Sequence, residues 1–160
     1  MKKNAQNILI LGIGNDILSD DSIGPKLVKR LEEDLHHNEL SFSTLALGGM
    51  EILEFICGYE QVIMIDAIRT NERDPGTVFH MTPDDFKETL HLSSFHDMSF
   101  LTALEFAKSM NMQLPSQIDI IAIEIVEDLI FSNDFSPMIA NKSEQIYKEV
   151  SWLVNRLIVV

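Results

Sequence analysis

Short apolar runs alternate with amphipathic segments along this chain, the early runs each close on a glycine or an acid, and no repeat or low-complexity segment interrupts the pattern. Such alternation predicts an α/β fold: a single doubly wound, mostly parallel five-stranded twisted sheet with one antiparallel strand and helices on both faces. The 160 residues suit one domain spanning 1–160, because a chain of this size buries roughly 70% of its unfolded surface around a single core.

Ile8 to Leu11 is continuously apolar and closed by Gly12, as a central parallel strand buried on both faces requires. Gly24 and Pro25 then open a segment in which Leu27, Val28, Leu31 and Leu35 are interleaved with Lys26, Lys29, Arg30, Glu32 and Glu33, an amphipathic helix with proline in its first turn. Leu40 to Leu47 reads as a second strand, Gly48-Gly49 as a turn, and Met50 to Cys57 as a short helix stopped by Gly58. Val62 to Ile65 is a third strand closed by Asp66. The polar loop Arg69 to Gly76 is too short for a crossover, so the next strand, Thr77 to Met81, is expected as an antiparallel edge. Thr82 to His96 mixes acids, histidines and serines without a period. Met98 to Met110 then forms a helix with Met98, Leu101 and Leu104 on one face, and Asp97 and Ser99 suit its cap. Gln117 to Ile125 is the last strand, and Pro137 opens a helix carrying Ile139, Ile146, Val150, Leu153 and Leu157.

Charge and cysteine content narrow the chemistry. With 12 Lys and Arg against 25 Asp and Glu, the net charge of −13 disfavours nucleic acid and anionic membranes. No stretch approaches the ~20 apolar residues that span a bilayer. The single cysteine, Cys57, excludes an internal disulfide and suits a cytoplasmic, reducing compartment. It lies beside Phe55 and Ile56 on an apolar helix face, where a buried structural thiol is the expectation.

In doubly wound folds ligands bind where loops leave the carboxyl ends of the strands. Three features fall there: Gly12-Ile13-Gly14-Asn15 followed by Asp20-Asp21, then Asp66, and His96 in Phe95-His96-Asp97. Asp21, Asp66 and His96 together offer two carboxylates and an imidazole, a set suited to borderline divalent ions such as nickel, zinc or manganese, with positions left open for water or substrate. Each also has a plainer use. Asp20, Asp21 and Ser22 precede a helix and suit capping, Asp66 could hold a neighbouring loop, and His96 is one of five histidines. Asn15 suits a left-handed turn. The Gly12-x-Gly14 pair lacks the third glycine of a dinucleotide fingerprint, because Ile17 stands in its place. A receiver-like phosphoacceptor domain would need its acid pair at the end of the first strand, whereas Asp20-Asp21 lie about eight residues beyond it, and Glu124 rather than a lysine closes the late strand.

The run from Ile8 to Gly24, the segment Val62 to Ala67 and the segment Phe95 to Ser99, in this order and spacing, resemble the hydrogenase maturation endopeptidases. Pro75-Gly76-Thr77, the strand ending at Glu124, and Ser136-Pro137 resemble weaker landmarks of that family, so the similarity spans nearly the whole chain. The chain departs from it at Gly48-Gly49-Met50, where the family usually has Gly-Gly-Thr, and at Ala122-Ile123-Glu124-Ile125, where Gly-x-Glu-Pro is frequent.

The resemblance implies a nickel-dependent processing endopeptidase, aspartyl-type or metal-dependent, that removes the C-terminal peptide of a nickel–iron hydrogenase large-subunit precursor. It implies that Asp21, Asp66 and His96 surround the nickel-recognition site, with nickel carried by the substrate and no organic cofactor. A non-catalytic nickel-sensing or chaperone module for the same precursor is the alternative.

Overall fold

In a computed structural model describing residues 7–46, 50–85 and 99–158, five strands form one sheet in the order β2-β1-β3-β5-β4. β1 (Ile8–Ile13), β2 (Leu40–Leu45), β3 (Gln61–Ile68) and β5 (Gln117–Glu124) run parallel, and β4 (Val78–Met81) pairs antiparallel with β5 at the edge. The connection from β1 leads to one side of the sheet, whereas β3 lies on the other side of β1, so the topological switch falls between these two central strands. Both are buried along their whole length, which explains why their sequences are apolar without alternation.

Helices cover both faces. α1 (Ile23–Asp34) and α4 (Pro137–Leu157) pack Leu27, Val28, Leu31, Ile139, Ile146 and Val150 against Ile10, Ile63, Ile65, Ile121 and Ile123. On the other face α2 (Glu51–Ile56) and α3 (Phe100–Ser109) pack Ile52, Ile56, Phe100, Ala103 and Ala107 against Leu9, Leu11, Met64 and Ile120. No helix among the described residues is long and apolar enough to cross a membrane.

The doubly wound architecture and the antiparallel edge are as the sequence predicts, but three local expectations change. β3 does not stop before Asp66: it continues to Ile68, because Asp66, Ala67 and Ile68 still pair with Ala122, Ile123 and Glu124 of β5. On α3 the buried face is Phe100, Ala103, Leu104 and Ala107, and Leu101 is exposed. Phe100 anchors that face at i, i+3, i+4, i+7 spacing, which turns Leu101 outward. Cys57 is the C-cap of α2 and half-buried, not enclosed. Gly48, Gly49, His91, His96, Asp97 and Met98 lie outside the described residues.

Candidate functional site

The Gly12-x-Gly14-Asn15 turn exists to let backbone approach backbone. A Cβ on Gly12 would lie 2.6 Å from the carbonyl oxygen of Gly24, and one on Gly14, whose φ is +148°, would lie 2.1 Å from that of Asp21. Gly24 is equally constrained: a Cβ there would lie 2.5 Å from the carbonyl oxygens of both Ile13 and Ile65. The start of α1 is thereby pressed onto β1 and β3 together, with Gly24, three residues past Asp21, against the residue that precedes Asp66.

Asp21 sits in a short 3-10 turn, Ser19–Ser22, and is 3% exposed. Its Oδ2 accepts the backbone N–H of Asn15 at 3.0 Å. The left-handed backbone expected of Asn15 is not found; its Oδ1 instead accepts the N–H of Ile17 at 3.2 Å, which closes a local side-chain turn. Asp66 is fully buried, and its Oδ1 accepts the N–H of Ala67 at 2.8 Å. Pairing of β1 with β3 ends at Gly12 and Ile65, so Asp66 stands just past the last rung between them. By strand alternation it shares a sheet face with Met64 and Ile68, the face against which Phe100 packs. Both carboxylates therefore come to the carboxyl end of the sheet at the β1/β3 switch. The third candidate, His96, lies outside the described residues; among those described, no group of three His, Cys, Asp or Glu is placed to hold a metal ion.

Asp20 has a different task from its neighbour. Its Oδ1 accepts the N–H of Ser136 at 2.7 Å, and its Oδ2 accepts the Ser136 hydroxyl at 2.8 Å, the N–H of Glu127 at 3.0 Å and that of Val126 at 3.2 Å. One buried carboxylate thus closes both ends of the loop between β5 and α4, and capping of α1 is not its role: the N-cap Ser22 makes no side-chain cap bond. Glu124, 1% exposed at the end of β5, likewise accepts the N–H groups of Thr70 and Asn71 and the Thr70 hydroxyl, which pins the loop after β3. The sequence marks Ser136-Pro137 and Glu124 as landmarks without revealing these partners. Cys57 caps the end of α2 that leads into the start of β3, the end of the sheet opposite Asp66, and desolvation pushes its thiol pKa up, so it is no nucleophile for this site.

Comparison with known proteins decides the family. Residues 25–152 match the family model HycI, hydrogenase maturation protease. This chain belongs to the hydrogenase maturation protease family. The matched span contains Asp66 and His96 and begins just after Asp21. Among curated relatives, the hydrogenase 2 maturation protease of Escherichia coli K12 is 30% identical over 79 residues, covering 49% of this chain and 48% of the relative. The hydrogenase expression/formation protein HupD of Rhodobacter capsulatus is 28% identical over 141 residues, covering 86% and 66%. The alignments thus span less than two thirds of either relative's length. In fold, the chain is similar to the hydrogenase maturating endopeptidase HybD from E. coli, with a TM-score of 0.73, 22% identity, and coverage of 94% of this chain and 93% of that one. It is also similar to the [NiFe] hydrogenase maturation protease HycI from Thermococcus kodakarensis KOD1, with a TM-score of 0.67, 21% identity and the same coverage.

Proposed function

We propose that residues 1–160 act as one hydrogenase maturation endopeptidase-like domain that removes the C-terminal peptide from the nickel-loaded precursor of a nickel–iron hydrogenase large subunit, in the cytoplasm. Family membership supports the reaction. The observation that carries the recognition step is the pair of buried carboxylates, Asp21 and Asp66, brought by the Gly24 contact to one end of the central strands. His96 completes the donor set in this reading. It precedes by four residues Phe100, which packs on the same sheet face as Asp66.

Oxygen and nitrogen donors fit an ion that belongs to the substrate. They can fill vacant positions on a nickel already held by the precursor's thiolates and then let go, whereas a thiolate cage would strip the metal. Joined to the enzyme through that ion, the precursor has its scissile segment positioned at the sheet end, and positioning supplies much of the rate. Water is the nucleophile in this scheme, since the only thiol lies at the opposite end of the sheet.

Mixing the protein with nickel-loaded and nickel-free precursor tests the reading. Mass spectrometry should show C-terminal truncation only of the loaded form. Truncation of neither would leave the non-catalytic docking module, and equal truncation of both would remove nickel from recognition. Asp21→Asn, Asp66→Asn and His96→Ala should each abolish truncation while retaining the circular-dichroism spectrum of the parent. Full activity in any one of them removes that residue from the site.

A further inference from the structure

The loop between β5 and α4 carries an apolar tip that the fold holds out to solvent. Leu129 is 74% exposed, Ile130 57% and Phe131 77%, and Ile17, from the loop between β1 and the turn that contains Asp21, is 52% exposed beside them. These groups form one surface: Leu18 and Phe131 make an antiparallel bridge, and the N–H of Ser132 donates to the Ile17 carbonyl at 3.0 Å. The tip is also firmly held. Asp20 clamps both ends of the loop, Ser19 Oγ donates to the Asp134 carbonyl at 3.3 Å, and Lys26 donates to the Asn133 carbonyl while lying over the Phe135 ring. Large side chains fixed in water by so many bonds contribute nothing to the core, and such contiguous exposure marks a contact surface.

The rim identifies the occupant. Asp16, Glu127, Asp128 and Asp134 border the tip against Lys26, Lys29 and Arg69: Lys29 pairs with Asp16 and Arg69 with Asp128, Lys26 is engaged by the Asn133 carbonyl and the Phe135 ring, and the N–H of Leu129 holds Glu127 below the ordinary carboxylate range, so the acids stay in excess. A mixed border with acids in excess, on a chain of net charge −13, disfavours a second copy of itself and favours an apolar surface flanked by basic side chains.

We propose that Ile17, Leu129, Ile130 and Phe131 form the docking surface for the precursor protein, engaging an apolar patch bordered by Lys or Arg, and that Asp20 fixes this surface relative to Asp21. The inference rests on the proposed function for its partner. Asp20 joins the two sites directly: the residue that anchors the docking loop is the chain neighbour of a candidate nickel-facing acid.

Leu129→Ser, Phe131→Ser and the double variant test it, with truncation of the nickel-loaded precursor followed at several precursor concentrations. Because both side chains are largely exposed, thermal melting should be unchanged. KM should rise about tenfold in the double variant, with kcat within about twofold of wild type, and wild-type KM should itself rise with added salt. An unchanged KM in the double variant, while wild type cuts, overturns the docking surface and leaves the proposed function standing. Failure of wild type to cut overturns the function and the docking surface with it. A wild-type dimer in sedimentation that the double variant converts to monomer assigns the patch to self-association and also overturns the proposal.

Discussion

Gly24→Ala sets two well-known effects against each other at the point where α1 meets the sheet. In a helix, alanine in place of glycine is ordinarily stabilising by up to about 1 kcal/mol. Here the new Cβ would stand 2.5 Å from two backbone carbonyl oxygens, those of Ile13 and Ile65, where real Cβ atoms essentially never approach within 3.0 Å. Neither oxygen can swing aside, because both belong to strands buried on two faces, so α1 must retreat by at least about 0.5 Å. Overpacking of this kind costs about 1–3 kcal/mol, which matches or outweighs the propensity gain of about 1 kcal/mol and leaves a net loss of about 0–2 kcal/mol. For a chain of this length each kcal/mol moves the melting temperature by about 2–4 °C, so a fall of up to about 8 °C and no rise is expected.

The same retreat carries Asp21 away from Asp66. A misplacement of about 1 Å can cost about a hundredfold in rate, and half that displacement should reduce kcat/KM on the nickel-loaded precursor by about tenfold. Differential scanning calorimetry and precursor truncation read the two effects separately. A variant that melts higher than wild type and cuts at the full rate would refute the view that the Gly24 contact sets the spacing of the two acids.

Asp20→Asn places an amide NH2 against donors that now share a carboxylate, and should cost about 2–3 kcal/mol in urea unfolding while sensitising residues 126–136 to proteolysis; an unchanged midpoint would show that the clamp is dispensable. The hydroxyl of Tyr147 donates to Asp34, and burial together with that bond pushes its pKa up to about 12. The folded chain therefore keeps a proton that the unfolded chain releases near pH 10, so this contribution is complete below pH 10 and is lost as pH rises toward 12. With only two tyrosines in the chain, absorbance titration should resolve a late component that Tyr147→Phe removes, and one common transition near pH 10 would contradict the buried assignment. Cys57→Ser should cut the precursor at the wild-type rate, and loss of cleavage would return the thiol to the mechanism.

Interior strands and the two-sided helix cover were legible because burial writes itself into sequence as uninterrupted apolar runs, as in Ile8–Ile13 and Val62–Ile65. What local pattern could not supply was the extent of β3. Its pairing with β5 carries it through Asp66, and that depends on a partner more than fifty residues away. Nor could it choose between Leu101 and Phe100 as the inward residue of α3, since either fits an amphipathic spacing and the packing against Met64 decides. At the site, Asp66 is legible as an acid closing an apolar run, although β3 continues past it to Ile68, and Asp21 as one of an acid pair in the loop beyond the first strand. The work of Asp20 was invisible for the opposite reason: its position suggested a helix cap, whereas its partners Val126, Glu127 and Ser136 lie over a hundred positions downstream.

Those long-range bonds also order events in time. The turn that bears Asp21 leaves the ribosome more than a hundred residues ahead of residues 126–136, yet it stays unfinished until they have emerged to satisfy the Asp20 carboxylate. Contacts of such separation form late in folding. A nascent or truncated chain is thus left with an unclamped acidic turn, and an intact C-terminal third becomes a condition for presenting Asp21 at all.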